Sequence, residues 1–100
     1  MPTYRVTGCD TAAANGDYVL QDDGFWTIAL SLLGWNAGGT RYRYRKLGTN
    51  YYIGYQDTST DWYIVETSGT PFTSVAISIT SMTDTPPEET WTNNAVVVEL

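Results

Sequence analysis

Turn-forming residues interrupt this sequence at short intervals, and that punctuation constrains the fold more than any other feature. They fall at Asn15-Gly16, Asp23-Gly24, Gly38-Gly39, Gly48 to Asn50, Asp57 to Asp61, Ser68 to Pro71 and Pro86-Pro87. The runs between them have the length of β-strands, a pattern typical of a sandwich or a barrel. The sequence therefore predicts a single all-β domain over residues 1–100, a compact antiparallel sandwich or small barrel of about seven or eight short strands.

Most of these runs also alternate, which predicts strands with one apolar face. Tyr51, Ile53 and Tyr55 share a face of one run, and Trp62 and Ile64 share a face of the next. Successive side chains of a strand point to opposite faces, so each strand is expected to pack on a second layer. The dipeptide Asn15-Gly16 is expected to form a tight hairpin turn between the first two strands, because both residues tolerate positive φ.

Two apolar segments allow more than one interpretation. Residues Phe25 to Leu33 alternate, which favours a strand, but several of them also fall at helical spacing. Residues Ala95 to Leu100 are apolar on both faces except at Glu99. We therefore expect this last run to be covered on both sides, either by its own domain or by a neighbouring subunit.

The residues that most enzymes use are missing or badly placed. Histidine is absent and Cys9 is the only cysteine, which removes the common zinc sites, histidine-assisted nucleophiles and an internal disulfide. The acidic pairs Asp22-Asp23 and Glu88-Glu89 are adjacent in sequence, so in strands their side chains point apart. The loop from Asp57 to Asp61 lacks the glycine and the bidentate glutamate of a calcium loop. The sequence thus predicts no catalysis, no metal site and no cofactor.

Four of the five basic residues lie between Arg41 and Lys46. On a strand, Arg41, Arg43 and Arg45 would form a ladder on one face, and such a ladder needs anionic partners. Three remain open: the internal acids Asp22, Asp23 or Glu66 on neighbouring strands, an acidic patch on another subunit, or a single-stranded nucleic acid. The formal net charge of −6 argues against the last, because an acidic chain gains little from counterion release.

The aromatic residues suggest a second kind of binding site. Their fraction is 14%, and flat rings stack well on the apolar faces of sugars. A glycan platform would use Trp35, Tyr52 and Trp62, whereas the alternative is that these rings fill the core of a small domain.

The sequence offers no targeting or membrane-spanning segment. The N-terminus carries no apolar run typical of a signal peptide, and no stretch approaches the ~20 apolar residues of a membrane helix. We therefore expect synthesis in a cytoplasm and no membrane association.

A family resemblance rests on several motifs spread along the chain. Val6-Thr7-Gly8 precedes a segment around Asn15-Gly16-Asp17-Tyr18, and tyrosine-rich runs, Trp62-Tyr63-Ile64, Pro86-Pro87 and Trp91 follow. This order resembles a small β module of structural proteins of tailed bacteriophages, cyanobacterial phages among them. Gln21 to Gly39 is longer and more apolar than the corresponding part of that module.

The resemblance implies a virion component made in the host cytoplasm. A single free-standing module suits a capsid decoration, or cement, protein that binds the major capsid protein or other virion subunits as a dimer or trimer. The residues expected to bind that partner are Arg41, Arg43, Arg45, Phe25, Trp26, Leu33, Trp35, Val96 and Val98. The alternative is a glycan-binding adhesion module of a tail or fibre.

Overall fold

The computed structural model describes residues 2–29, 34–68 and 73–100, with only the backbone described at 73–76. Short strands dominate these residues, and they are β1 (Thr3–Thr7), β2 (Gly16–Gln21), β3 (Trp26–Ala29), β4 (Gly34–Ala37), β5 (Arg43–Lys46), β6 (Tyr51–Gln56), β7 (Asp61–Glu66), β8 (Thr73–Thr80) and β9 (Val96–Glu99). Two 3-10 turns, Ala12–Ala14 and Thr92–Asn94, complete the regular structure of this part of the chain. The prediction of an all-β fold is confirmed.

Seven strands form one antiparallel sheet in the order β8-β7-β6-β5-β2-β1-β9, and β3 and β4 form a separate hairpin. The large sheet curls, because the turn at Thr92–Asn94 packs against β8 and the Ser78 amide donates a hydrogen bond to Thr92 Oγ1 over 2.8 Å. The chain that precedes β9 thereby bridges the two ends of the sheet.

The edge strand β9 is itself protected by this preceding segment. The Val97 amide donates to the Glu89 carbonyl over 3.1 Å, and the Glu99 amide donates to Glu88 Oε1 over 2.9 Å. Unpaired edge strands invite pairing with other chains, so proteins commonly cover them. With this edge occupied, β9 offers no free row of backbone groups to which a partner strand could add.

The concave side of the curled sheet, which we call the inner face, holds the core. Strand pairing sets Tyr4 opposite Tyr18, Tyr44 opposite Ile53 and Ile53 opposite Ile64, so the alternating residues meet in one layer. Among the residues whose side chains are described, the largest fully buried ones are Trp62, Tyr4, Tyr18, Ile53, Ile64, Ile77, Val6 and Val97. Buried tyrosine keeps a polar end that needs a partner, and Tyr18 Oη donates to the Ala14 carbonyl over 2.6 Å.

The predicted hairpin turn at Asn15-Gly16 is wrong. Residues 8–15 connect β1 to β2, and Asn15 has φ −71° rather than a positive value. Its side chain closes the loop instead, since Oδ1 accepts from the Cys9 amide over 2.9 Å and Nδ2 donates to the Cys9 carbonyl over 3.3 Å. An asparagine amide imitates a backbone peptide in this way, so it stabilises a longer loop as readily as a tight turn.

The two ambiguous apolar segments resolve differently. Trp26–Ala29 is a strand paired with Gly34–Ala37, which confirms the preference for a strand there, while residues 30–33, with Leu33 among them, lie outside the described residues. In β9, Val97 is fully buried, but Val96 and Val98 are 37% and 38% exposed. Within the described chain the last run is therefore covered on one side, and the expectation of cover on both sides is not met by its own domain.

Candidate binding surface on the outer face of the sheet

The side of the large sheet opposite the core, which we call the outer face, gathers most of the residues singled out in the sequence. Cross-strand pairing places Thr3, Val19 and Arg45 in one row across β1, β2 and β5, and Tyr52 of β6 continues that row. Val98 lies in a second row with Arg5 and Asp17. Residues predicted separately as an arginine ladder and as a terminal apolar run thus share one surface.

The β3–β4 hairpin lies on the outer face and covers part of it. Thr27 Oγ1 donates to the Tyr55 carbonyl over 3.0 Å and accepts from the Asp57 amide over 3.3 Å, which fixes β3 to β6. The Trp35 ring packs directly on Gly54, where a methyl group would overlap it. We call this part the covered half, and it exists because one position of β6 has no side chain.

Arg43 is held inside the covered half. Its guanidinium carbon lies 4.2 Å from the centroid of the Trp26 ring and 5.5 Å from those of Trp35 and Tyr52. Nη2 donates to Asp23 Oδ2 over 2.8 Å, and the side chain is 16% exposed. The internal pairing that the sequence left open for Asp23 is therefore the one that the structure contains, and stacking on indole suits the weakly hydrated guanidinium.

Arg41 precedes β5 and is also engaged within the domain. Nε donates to the Thr83 carbonyl over 2.8 Å and Nη2 donates to the Met82 carbonyl over 2.7 Å. Its guanidinium stacks 3.9 Å from the Tyr55 ring centroid, and only 12% of the side chain is exposed. Arg41 ties residues 82–83 to the sheet and does not extend the ladder of Arg43 and Arg45.

Arg45 differs from both. Its Nε donates to the Thr49 carbonyl over 3.0 Å, and its guanidinium carbon lies 5.8 Å from the Tyr52 ring centroid. Among the described residues, no carboxylate comes within ion-pair distance of it. One cation of the predicted ladder thus remains without a counter-charge.

A second part of the outer face, which we call the open half, is carried by β9, β1, β2 and the end of β5. Its exposed apolar residues are Val96 and Val98, and beside them Arg5 Nε pairs with Asp17 Oδ1 over 2.8 Å. The hydrogen bond from Arg5 holds the pKa of the Asp17 carboxyl below its usual value. This half combines branched apolar side chains with fixed charges, a composition suited to contact with another surface.

The predicted glycan residues do not come together as one platform. Trp62 is fully buried in the core, so its ring has no face for a sugar, and that assignment is wrong. Trp35 and Tyr52 are half-buried on the outer face, with ring centroids 5.8 Å apart in an edge-to-face arrangement. Phe25, 48% exposed, lies at the end of the hairpin against Tyr42, with 4.7 Å between the ring centroids.

Sequence reasoning missed Gly54 and the charge pair of Arg5 and Asp17. The signal for Gly54 was present, since an isolated glycine inside a strand of large residues indicates the close approach of another group. The pair of Arg5 and Asp17 depends on the register between β1 and β2. Because the turn between these strands was predicted wrongly, that register could not be predicted either.

Within residues 2–29, 34–68 and 73–100, no three histidine, cysteine or acidic side chains are grouped to hold a metal ion, and no helix is long and apolar enough to cross a membrane. Comparison with protein-family models, curated proteins and solved structures finds no match.

Proposed function

We propose that this chain is a structural subunit of a bacteriophage virion, and specifically a capsid decoration protein that attaches through the open half of its outer face. One observation supports this site of attachment. Val96 and Val98 are exposed on the same face as Arg45, although the inner face of the same strand is fully buried at Val97.

Energetic reasoning supports a face that meets a partner. Exposed valines gain free energy when they are removed from water, at roughly 25 cal/mol for each Å² of apolar surface. Arginine, which flanks them here as Arg5, is enriched where protein surfaces meet. The protected edge of β9 favours contact through this face over strand addition.

The viral part of the proposal is supported by the resemblance to the phage module. On that basis the partner is the major capsid protein or another virion subunit, the chain assembles as a dimer or trimer on the particle, and it is made in the host cytoplasm. No catalytic step is part of this function. Binding to the shell would favour the folded chain and the assembled particle together by mass action.

The test is location on the particle. An antiserum against the recombinant chain, with gold-labelled secondary antibody, is applied to virus particles purified from cultures that express it. We expect label over the heads. Absence of the chain from purified particles overturns the proposal, and label confined to tails replaces decoration with an adhesion role.

The second candidate is that adhesion role, in which the chain binds glycans on a tail or fibre. It is favoured by the half-buried Trp35 and Tyr52 beside the Arg43 guanidinium. Binding on a glycan array that is lost in Tyr52→Ser, with the melting temperature within a few degrees of wild type, would support it. An array with no bound glycan would remove it.

A further inference from the structure

Arg45 stands apart from the other arginines of its segment in how its charge is compensated. Arg43 pairs with Asp23 over 2.8 Å, and Arg41 lies within 3.8 Å of Asp57 and 3.6 Å of Asp84. Arg45 pairs with no carboxylate of the described residues, and only its Nε makes a hydrogen bond, to the Thr49 carbonyl. Its Nη groups, with which arginine binds carboxylates side-on, donate no hydrogen bond to the described residues.

The open half therefore carries a charge of the opposite sign to that of the chain. On its strands Arg5 is offset by Asp17, which leaves Arg45 as the uncompensated charge of this half. The chain as a whole carries a formal net charge of −6. An acidic partner is attracted to the open half and repelled by the net negative charge of the rest of the chain, which orients the chain as it docks.

The extent of the surface favours a protein over a sugar. Arg45 shares its row with Val19 and Thr3, and Val98 lies on β9, three strands away in the sheet order. At the usual strand spacing this separation is roughly 14 Å, more than a single sugar ring spans. A cation at one end and exposed valines at the other match the apolar and charged groups of a protein interface.

We propose that Arg45 anchors this face to an acidic protein surface by pairing with a carboxylate of the partner, while Val98 supplies the adjoining apolar contact. This inference rests on the proposed function, for which the partner is the shell. Of the three arginines predicted to dock, it assigns the contact to Arg45 alone, and it states that the partner presents a carboxylate there.

The experiment uses heads purified from a deletion mutant that lacks this chain, with recombinant chain added back and binding followed by co-sedimentation. We expect Arg45→Glu to bind about 30-fold more weakly than wild type, the loss typical of an interface hot spot. Lys46→Glu is the matched control, because it makes the same charge change one residue away on the opposite side of the sheet, where Lys46 pairs across from Tyr18. It should bind within about threefold of wild type.

Each of the other outcomes contradicts either the proposed function or the role of Arg45. If wild type fails to bind, both the proposed function and this inference fail. If wild type binds and Arg45→Glu binds equally well, or Lys46→Glu weakens binding as much, the function stands and the anchor is wrong.

Two further outcomes would identify a different partner for this face. A change in oligomeric state for Arg45→Glu, measured by light scattering of the free chain, would make the occupant a second copy. Glycan-array binding lost in the same variant would make it an acidic glycan. If Arg45→Glu lowers the melting temperature, Val98→Glu serves as a second test of the same surface. It should also weaken binding, because it changes a separate side chain of the proposed contact.

Discussion

Arg43 and Arg45 lie two residues apart on one strand and one face, yet they occupy different environments. Arg43 stacks on Trp26 and pairs with Asp23 in the covered half, whereas Arg45, at the border of the open half, has no acidic partner among the described residues. Their sequence neighbours, Tyr42, Tyr44 and Lys46, do not distinguish them. The difference comes from the β3–β4 hairpin, which covers one arginine and leaves the other.

This contrast separates residues that hold the domain together from residues available to a partner. A change in the covered half should lower the free energy of unfolding, because it disturbs packed rings and a paired cation. A change in the open half should leave folding nearly unaltered and act on binding.

The largest effect is expected for Gly54→Ala. A methyl group at this position overlaps the Trp35 ring, and overpacking of a tight contact costs about 1–3 kcal/mol. Urea unfolding followed by tryptophan fluorescence should place the loss near the top of that range. The variant Trp35→Leu in the same background should recover part of it, and strict additivity of the two changes would contradict the contact.

A smaller effect is expected for Arg43→Ala, about 2 kcal/mol, because it removes a desolvated cation–π contact and leaves Asp23 without its partner. Arg43→Lys should recover only part of the loss, since an ammonium cannot stack as a plane. The control is Arg45→Ala, measured in the same urea titration, with an expected loss of about 0.5 kcal/mol. Equal losses for the two alanine variants would remove the distinction between the halves.

Local sequence pattern predicted the inner face well. The alternation at Tyr51 to Tyr55 and at Trp62 to Ile64 placed the inward residues correctly, because register in a sheet with one buried face leaves little choice. The strand at Trp26–Ala29 followed from the same reasoning, and so did the shared face of Arg43 and Arg45; Arg41, predicted on that face as well, precedes the strand and stacks on Tyr55 instead.

The parts that failed depend on contacts between distant residues. The β3–β4 hairpin decides which arginine is covered, through Trp26 and Trp35. The hairpin packs where Gly54 has no side chain. The conformation of Asn15 likewise depends on the hydrogen bonds that its side chain makes with the Cys9 backbone across the loop. Trp62 looked like a candidate sugar platform because composition alone cannot say whether an aromatic ring lies in the core.

The valines of β9 give a comparison within one strand. Val98→Thr should change the free energy of unfolding by less than about 0.5 kcal/mol, because its side chain is exposed on the open half. Val97→Thr, which places a hydroxyl in the core, should cost about 1–3 kcal/mol. Thermal melts of the two isosteric variants measure the difference, and similar costs would show that the open half is part of the folded core.

The smallest effect concerns the exposed pair of Arg5 and Asp17. Because Arg5 lowers the pKa of Asp17 in the folded state, the pair stabilises the fold fully above the ordinary carboxyl pKa, and this stabilisation is lost as the pH falls through the lowered value. The melting temperature of wild type should exceed that of Asp17→Asn at neutral pH, and the gap should close at about pH 2. Salt at about 1 M should also narrow the gap, because both groups are open to solvent. A gap that persists in acid would mean that Asp17 acts through packing, and the open half would then carry part of the stability assigned here to the covered half.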